Sequence, residues 1–209
     1  MGSTVAIVLA AGFGSRMGAD KLGLSLGHCS ILGHTLRAYS GHGLEYRILV
    51  TRPELPLPPE AANWQVIFNE RSDRGMGSSL RAGVAAAPPG CTGFLLGLGD
   101  LPALRNPTVG AVLAAARTAP LGMVFPTWRG RRGHPVWLHA RYRPALLAVQ
   151  GDQGARALLR ECSGVGVEVP DPGCVLDVDT PDDLARLELR DGSPCWCLDD
   201  PPSPGAACP

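Results

Sequence analysis

Short apolar segments rich in branched residues alternate with longer amphipathic stretches along this chain. The apolar segments, at residues 4–10, 46–51, 65–69, 93–99, 122–126, 165–169 and 175–178, predict strands; residues 30–40, 78–87, 107–119, 140–149, 153–161 and 181–190 predict helices. Such turn-taking is the signature of an α/β fold, a Rossmann-like, mostly parallel sheet with flanking helices. The run Asp179-Thr-Pro-Asp-Asp183 reads as a helix start, with Thr180 as cap, Pro181 at the first helical position and two acids at the positive end of the dipole. That leaves Asp179 just outside the helix, at the end of an expected strand that also carries Asp177 on the same face. The Pro-rich run 52–60 reads as a surface connection between neighbouring strands. One domain is therefore expected over residues 1–190, followed by a Pro- and Cys-containing tail at 191–209 that is expected to be poorly ordered.

Composition narrows the classes of function. The 209 residues carry 19 basic and 19 acidic side chains and are 45% hydrophobic, as suits one soluble domain with a sizeable core. Balanced charge, four Phe and three Tyr exclude the broad basic, aromatic-studded face of a sequence-independent nucleic-acid binder. An anionic ligand must then be met by local groups. No run approaches the roughly 18 apolar residues of a membrane span, and the N-terminus leads straight into a strand without a charged leader and cleavage site. A cytoplasmic protein with neither membrane nor nucleic acid as partner is expected. Seven cysteines, with Cys29, Cys91, Cys162 and Cys174 isolated, make no disulfide framework. Cys195, Cys197 and Cys208 in the tail match no common zinc spacing.

The glycine-rich segment Leu9-Ala-Ala-Gly-Phe-Gly-Ser-Arg-Met-Gly-Ala-Asp-Lys21 follows the first strand and ends on the one lysine of the chain. Every other basic residue is arginine, which points to a task that needs a compact, flexible ammonium instead of a planar fork. Gly12, Gly14 and Gly18 approximate a dinucleotide fingerprint, but that motif requires a helix to begin within the glycines. Residues 19–27 contain two more glycines and alternate Leu22, Leu24 and Leu26, so an extended loop is expected. A loop of backbone amides with Arg16 and Lys21 makes an anion nest suited to a triphosphate.

Asp100 closes the apolar strand in Phe94-Leu-Leu-Gly-Leu-Gly-Asp-Leu-Pro102, at the carboxyl edge where ligands collect in open α/β sheets. Beside a triphosphate it becomes a candidate ligand for Mg²⁺, which takes one or two carboxylates plus phosphate oxygens. Arg129-Gly-Arg-Arg-Gly-His134 sets three arginines on a glycine-punctuated hairpin, which reads either as a solvated loop tip or as a contact with a second, anionic substrate.

The loop through Lys21 resembles the signature of the nucleotidyltransferases that activate sugars, isoprenoid precursors and molybdopterin. Gly75-Met-Gly-Ser-Ser-Leu-Arg-Ala-Gly83, Gly-Asp-Leu-Pro102, Gly-Arg-Arg-Gly-His-Pro-Val136, Gln150-Gly-Asp-Gln-Gly-Ala-Arg156 and Asp177-Val-Asp-Thr-Pro-Asp182 follow in that family's order. The set is similar to the molybdenum cofactor (molybdopterin) cytidylyltransferases, MobA-like nucleotidyltransferases with a nucleotide-diphospho-sugar transferase-like fold. The resemblance implies a transfer of CMP from CTP, with GTP as the alternative, to a molybdopterin-type acceptor, and a molybdenum hydroxylase receiving the product. It implies nucleotide contacts at Leu9, Ala10, Ala11, Gly12, Gly14, Lys21, Asn69, Gly77 and Ser79, catalysis by Arg16 and Lys21, Mg²⁺ on Asp100 and Asp179, and acceptor contacts at Arg131, Arg132 and His134. Gly14 departs from the serine common in that branch and leaves sugar or isoprenoid phosphates open as acceptors. A nicotinamide-dependent reductase and a non-catalytic pterin-cofactor carrier are the rivals from other classes.

Overall fold

The six residues of strand β1 (Thr4–Leu9) contain no polar face because none is needed: Val5 to Val8 are wholly enclosed. The computed structural model describes residues 3–12, 20–70, 75–118, 122–151, 164–190 and 193–196. After β1 come the short strands β2 (Ser25–Leu26) and β3 (Cys29–Ser30), helix α1 (Ile31–Arg37), β4 (Tyr46–Thr51), β5 (Gln65–Phe68), α2 (Met76–Ala86), β6 (Gly93–Leu98) and α3 (Asn106–Ala116). The remainder is β7 (Met123–Trp128), β8 (Arg131–Arg132), β9 (Val136–His139), α4 (Arg143–Ala148), β10 (Gly164–Glu168), α5 (Pro181–Ala185), β11 (Leu187–Arg190) and β12 (Ser193–Trp196).

Seven strands form the sheet in the order β10-β7-β9-β6-β1-β4-β5, with β8 paired to β7. β1 runs parallel to β4 and β6, β4 to β5, and β7 to β10; within this sheet the pairings of β8 and β9 are antiparallel. Alternate residues of β1 serve two cores. Ala6 and Val8 pack with Leu32 and Leu36 of α1 and Val109 and Val112 of α3, whereas Val5 and Ile7 pack with Leu80 and Val84 of α2 and Leu146 of α4. Burial on both faces explains the unbroken apolar runs. No helix among the described residues is long and apolar enough to cross a membrane.

The expected α/β architecture is present, and five of the predicted strands match β1, β4, β5, β6 and β7 to within a few residues, with β10 close to the sixth. Three elements depart from expectation. β9 was not foreseen, because four residues behind a proline carry too short a pattern, yet it is inserted antiparallel between β6 and β7. Residues 175–178 form no strand; Pro172–Cys174 makes a tight 3-10 turn and the chain then crosses the carboxyl edge of the sheet, where Val178 N–H donates to the Asp100 carbonyl at 3.0 Å. The helix expected over 181–190 stops at Ala185, since Leu187–Arg190 pairs antiparallel with Ser193–Trp196. Residues 153–161 and 197–209 lie outside the described residues.

Two polar devices lock these elements. Arg143 caps the C-terminal end of α2: Nη1 donates to Val84 O and Ala87 O at 3.1 Å each, and Nη2 to Pro88 O at 2.6 Å. Thr180 and Asp183 form a reciprocal box at the start of α5, Asp183 N–H donating to Thr180 Oγ at 3.2 Å and Thr180 N–H to Asp183 Oδ2 at 2.8 Å. Asp183 Oδ2 also accepts from Asp179 N–H and the Thr180 hydroxyl, so it does more than complement the helix dipole. Burial raises the Asp183 pKa, but the bonds from Thr180 and Asp179 outweigh it and hold the carboxyl below its ordinary value.

Arg143→Met should therefore lower unfolding free energy by about 2 kcal/mol or more in urea titration, since it strands three carbonyls that now accept from a cation. Asp183→Ala should cost roughly 1 kcal/mol at neutral pH. A depressed folded pKa stabilises above the unfolded value and ceases to do so as pH falls through the folded one. The gap between wild type and Asp183→Ala should accordingly narrow below the ordinary aspartate value of 3.8.

Candidate active site

The parallel strands bring their carboxyl ends to one edge, so residues far apart in sequence emerge side by side. Gly99 N–H donates to Leu9 O at 2.9 Å and Ala10 N–H to Val50 O at 2.7 Å, which aligns the exits of β1, β4 and β6. Asp100 stands one residue beyond Gly99. The Val178–Asp100 backbone bond then clips the C-terminal segment onto this exit and delivers Asp177 and Asp179 to it. Upstream, buried Asp171 anchors the same segment by accepting from Arg105 N–H at 3.0 Å, the Thr108 hydroxyl at 2.6 Å and Gly173 N–H at 3.0 Å.

Lys21 lies between the two aspartates that the sequence singled out. Its Nζ is 2.8 Å from Asp100 Oδ2 and 2.5 Å from Asp179 Oδ1, with only 11% of the lysine side chain exposed. A short 3-10 turn over Lys21–Gly23 projects it there. Burial disfavours the ammonium, but the charge and hydrogen bond of Asp100, followed by those of Asp179, prevail and raise the pKa. Lys21 is a cation throughout the physiological range.

Asp177 joins this pair, so that ligand oxygens of Asp100, Asp177 and Asp179 all lie within 4.8 Å of one another. Loss of hydration, then repulsion from Asp100, raises the Asp177 pKa. Asp100 Oδ1 is buried without a hydrogen-bond partner among the described residues. Among the described residues, Asp100, Asp177 and Asp179 around Lys21, with one buried oxygen unclaimed, make a donor set that fits a hard divalent cation. Asp179 reaches the cluster from an irregular crossing segment and not from the expected strand end, so only its local setting is corrected.

Leu9, Ala10, Ala11 and Gly12 carry β1 out to this edge, the two alanines being 1% exposed. Gly14 and Arg16 lie outside the described residues. Sequence reading passed over Arg52, the residue after β4. Although 4% exposed, its Nη1 donates to Gly12 O at 2.9 Å and its Nη2 meets Asp20 Oδ2 at 2.5 Å. An arginine inside a Pro-rich connection gave no signal of its own.

At the neighbouring strand end, Asn69 is held by its N–H to Thr51 O at 2.7 Å and donates through Nδ2 to Ser78 Oγ at 2.8 Å and Ser79 Oγ at 2.9 Å. All three residues are buried. Gly77 is required by packing, since a Cβ there would sit 2.5 Å from Gly151 O. Beyond β7, Arg129 and Gly130 have positive φ values of 49° and 76°, the two-residue turn that fits the hairpin expected here. Arg131 and Arg132 are exposed, and Arg132 lies over the Phe125 ring at 3.8 Å. His134 N–H donates to Cys174 O at 2.8 Å, and burial lowers the ring's pKa despite its bond to the Leu96 backbone and the charge of Asp100.

Comparison with known proteins agrees with this fold. Residues 6–165 match the model of the MobA-like NTP transferase domain. The chain is 28% identical over 201 residues to the purine catabolism protein PucB of Bacillus subtilis, spanning 88% of this chain and 97% of that protein. It is 30% identical to the phosphoenolpyruvate guanylyltransferase of Rubrobacter xylanophilus, over 85% of this chain and 88% of the relative. Among solved structures, Rv0371c of Mycobacterium tuberculosis superposes with a TM-score of 0.75 at 27% identity, covering 88% of this chain and 96% of that one. The CTP complex of a CMP:2-keto-3-deoxy-manno-octonic acid synthetase shares the fold alone, with a TM-score of 0.69 at 14% identity. With a family model covering most of its length and the clustered acids and lysine at the strand ends, the chain belongs to the MobA-like NTP transferase family and is a nucleotidyltransferase.

Proposed function

We propose that the protein transfers CMP from CTP to the phosphate of a molybdopterin-type acceptor and releases pyrophosphate. The observation that carries this reading is the ammonium of Lys21 held between Asp100 and Asp179 at the exit of a glycine-rich segment. The acceptor's phosphate oxygen attacks the α-phosphorus of CTP as the bond to the bridging oxygen breaks, and its electron pair leaves with pyrophosphate. The nucleophile is already an anion, so no covalent enzyme intermediate and no general base are needed. What remains is alignment and neutralisation.

In this reading the backbone of Leu9, Ala10, Ala11, Gly12 and Gly14 cradles the triphosphate, and Arg16 and Lys21 offset the charge of the leaving group. Asp100 and Asp179, with Asp177 beside them, hold the divalent ion. Once bound, Mg²⁺ supplies positive charge to the phosphate oxygens as bonds exchange. A manganese complex of Rv0371c from Mycobacterium tuberculosis, 26% identical over 88% of this chain, supports the use of a divalent ion. Asn69, Gly77 and Ser79 receive the nucleobase, and Arg131, Arg132 and His134 face the acceptor; a molybdenum hydroxylase is the recipient of the product. The guanylyltransferase relative supports a second reading, guanylyl transfer from GTP to a small phosphate-bearing acid.

Metal-dependent pyrophosphate release measured with each of the four ribonucleoside triphosphates, against molybdopterin and phosphoenolpyruvate, separates the two. Fastest release with CTP and molybdopterin supports the first, and fastest release with GTP and phosphoenolpyruvate replaces it with the second. Removal of divalent ions by chelation should abolish turnover, and its restoration by Mg²⁺ should be lost in Asp100→Asn. Lys21→Met should lower kcat by about 10² to 10³ with the fold intact. Lys21→Arg should rescue little, because a planar fork cannot occupy the narrow gap between two carboxylates. Near-normal turnover of Lys21→Met at saturating nucleotide contradicts the assignment.

A further inference from the structure

Arg52 is a buried cation at the active edge to which the chemistry above gives no task. We propose that it is a positioning residue, which ties Gly12 to Asp20 and thereby sets the station of Lys21. The inference rests on reading that segment as the triphosphate site.

One planar guanidinium spans the segment's two margins. Nη1 takes the Gly12 carbonyl at 2.9 Å, where the chain has just left β1, and Nη2 takes the Asp20 carboxylate at 2.5 Å, one residue before Lys21. The Gly12 carbonyl and the Asp20 carboxylate are thus spaced by the fixed separation of the guanidinium nitrogens. Arg52 itself is rigidly founded, because its neighbours in β4 are bonded on both sides: Val50 O accepts from Ala10 N–H and Thr51 O from Asn69 N–H, each at 2.7 Å. From Asp20 the constraint passes into the lysine turn, in which Gly23 N–H donates to Asp20 O at 3.1 Å and Leu24 N–H to Lys21 O at 3.2 Å.

Stability alone does not require such a group. Removing an arginine from water is costly, and apolar residues of similar volume often serve a fold as well as a buried ion pair. What the pair supplies is a defined spacing between the Gly12 carbonyl and the Asp20 carboxylate. Lysine cannot substitute, since one ammonium on a flexible stem does not hold two acceptors at a fixed spacing.

The experiment compares nucleotide binding, turnover and melting for wild type, Arg52→Met, Arg52→Lys, Asp20→Asn and the Arg52→Met/Asp20→Asn double variant, with Arg143→Met as a control for lost stability. Each of the four nucleoside triphosphates with Mg²⁺ serves as ligand. Arg52→Met is expected to raise Kd and KM for the nucleotide by about tenfold or more, because ligand alignment tolerates displacement poorly. Arg52→Lys should recover little of this. Asp20→Asn should shift KM in the same direction, and the double variant should be no worse than Arg52→Met, since both single changes break one link. Arg143→Met should melt earlier with unchanged KM. An Arg52→Met protein that melts earlier but keeps wild-type KM overturns the proposal by reducing Arg52 to a structural role. If that variant does not fold, unchanged KM in Asp20→Asn overturns it instead. Wild type binding no nucleoside triphosphate removes the functional reading together with this one, whereas tight binding by wild type and Arg52→Met alike removes this one alone.

Discussion

An ammonium wedged between two carboxylates is the constraint from which the site follows. Lys21 comes from the loop beyond β1, Asp100 from the end of β6 and Asp179 from a segment near the end of the described chain. Each group pays for leaving water only because the others are there, so the three positions must be specified together. With Asp177 added, carboxylates outnumber Lys21 among the described residues, and among these Asp100 Oδ1 is buried without a hydrogen-bond partner. A cluster in that condition favours a further cation. Electrostatics that would be a liability in a plain core are what a site for a metal and a polyphosphate calls for.

One backbone hydrogen bond and a few buried or capping side chains set these positions. The bond from Val178 to Asp100 joins the C-terminal crossing to the strand exit, and Asp171 fixes the start of that crossing against α3. Thr180 and Asp183 fix its end. Asp179 is thus suspended between two capped turns, which lets an irregular segment hold a carboxylate as firmly as a strand would. On the other side of the site, Arg52 serves the glycine segment in a similar way through Gly12 and Asp20.

Much of this was legible in the sequence. Unbroken apolar runs marked the parallel strands, the one lysine marked the loop, and Thr180-Pro181 marked the last helix start. Lys21, Asp100 and Asp179 were singled out before their proximity was known. The unseen parts share a physical cause: they depend on contacts distant in sequence. β9 is four residues long and becomes a strand only because β6 and β7 flank it. Val175 to Val178 has strand-like composition but crosses the edge of the sheet, where Val178 bonds to a strand end. Nothing local reveals that the Gly151 carbonyl packs against Gly77. Arg52 looked like part of a surface connection because nothing local reveals that Asp20 and Gly12 reach it.

The central claim is that Asp100 and Asp179 together receive one divalent ion when the nucleotide is bound. Titration of the protein with Mn²⁺ in the presence of CTP, followed by electron paramagnetic resonance, tests it directly. One tightly held ion in wild type and in Asp182→Asn, with at least roughly tenfold weaker retention in both Asp100→Asn and Asp179→Asn, is the predicted result. Retention of the ion at wild-type strength by either of those two variants would contradict it.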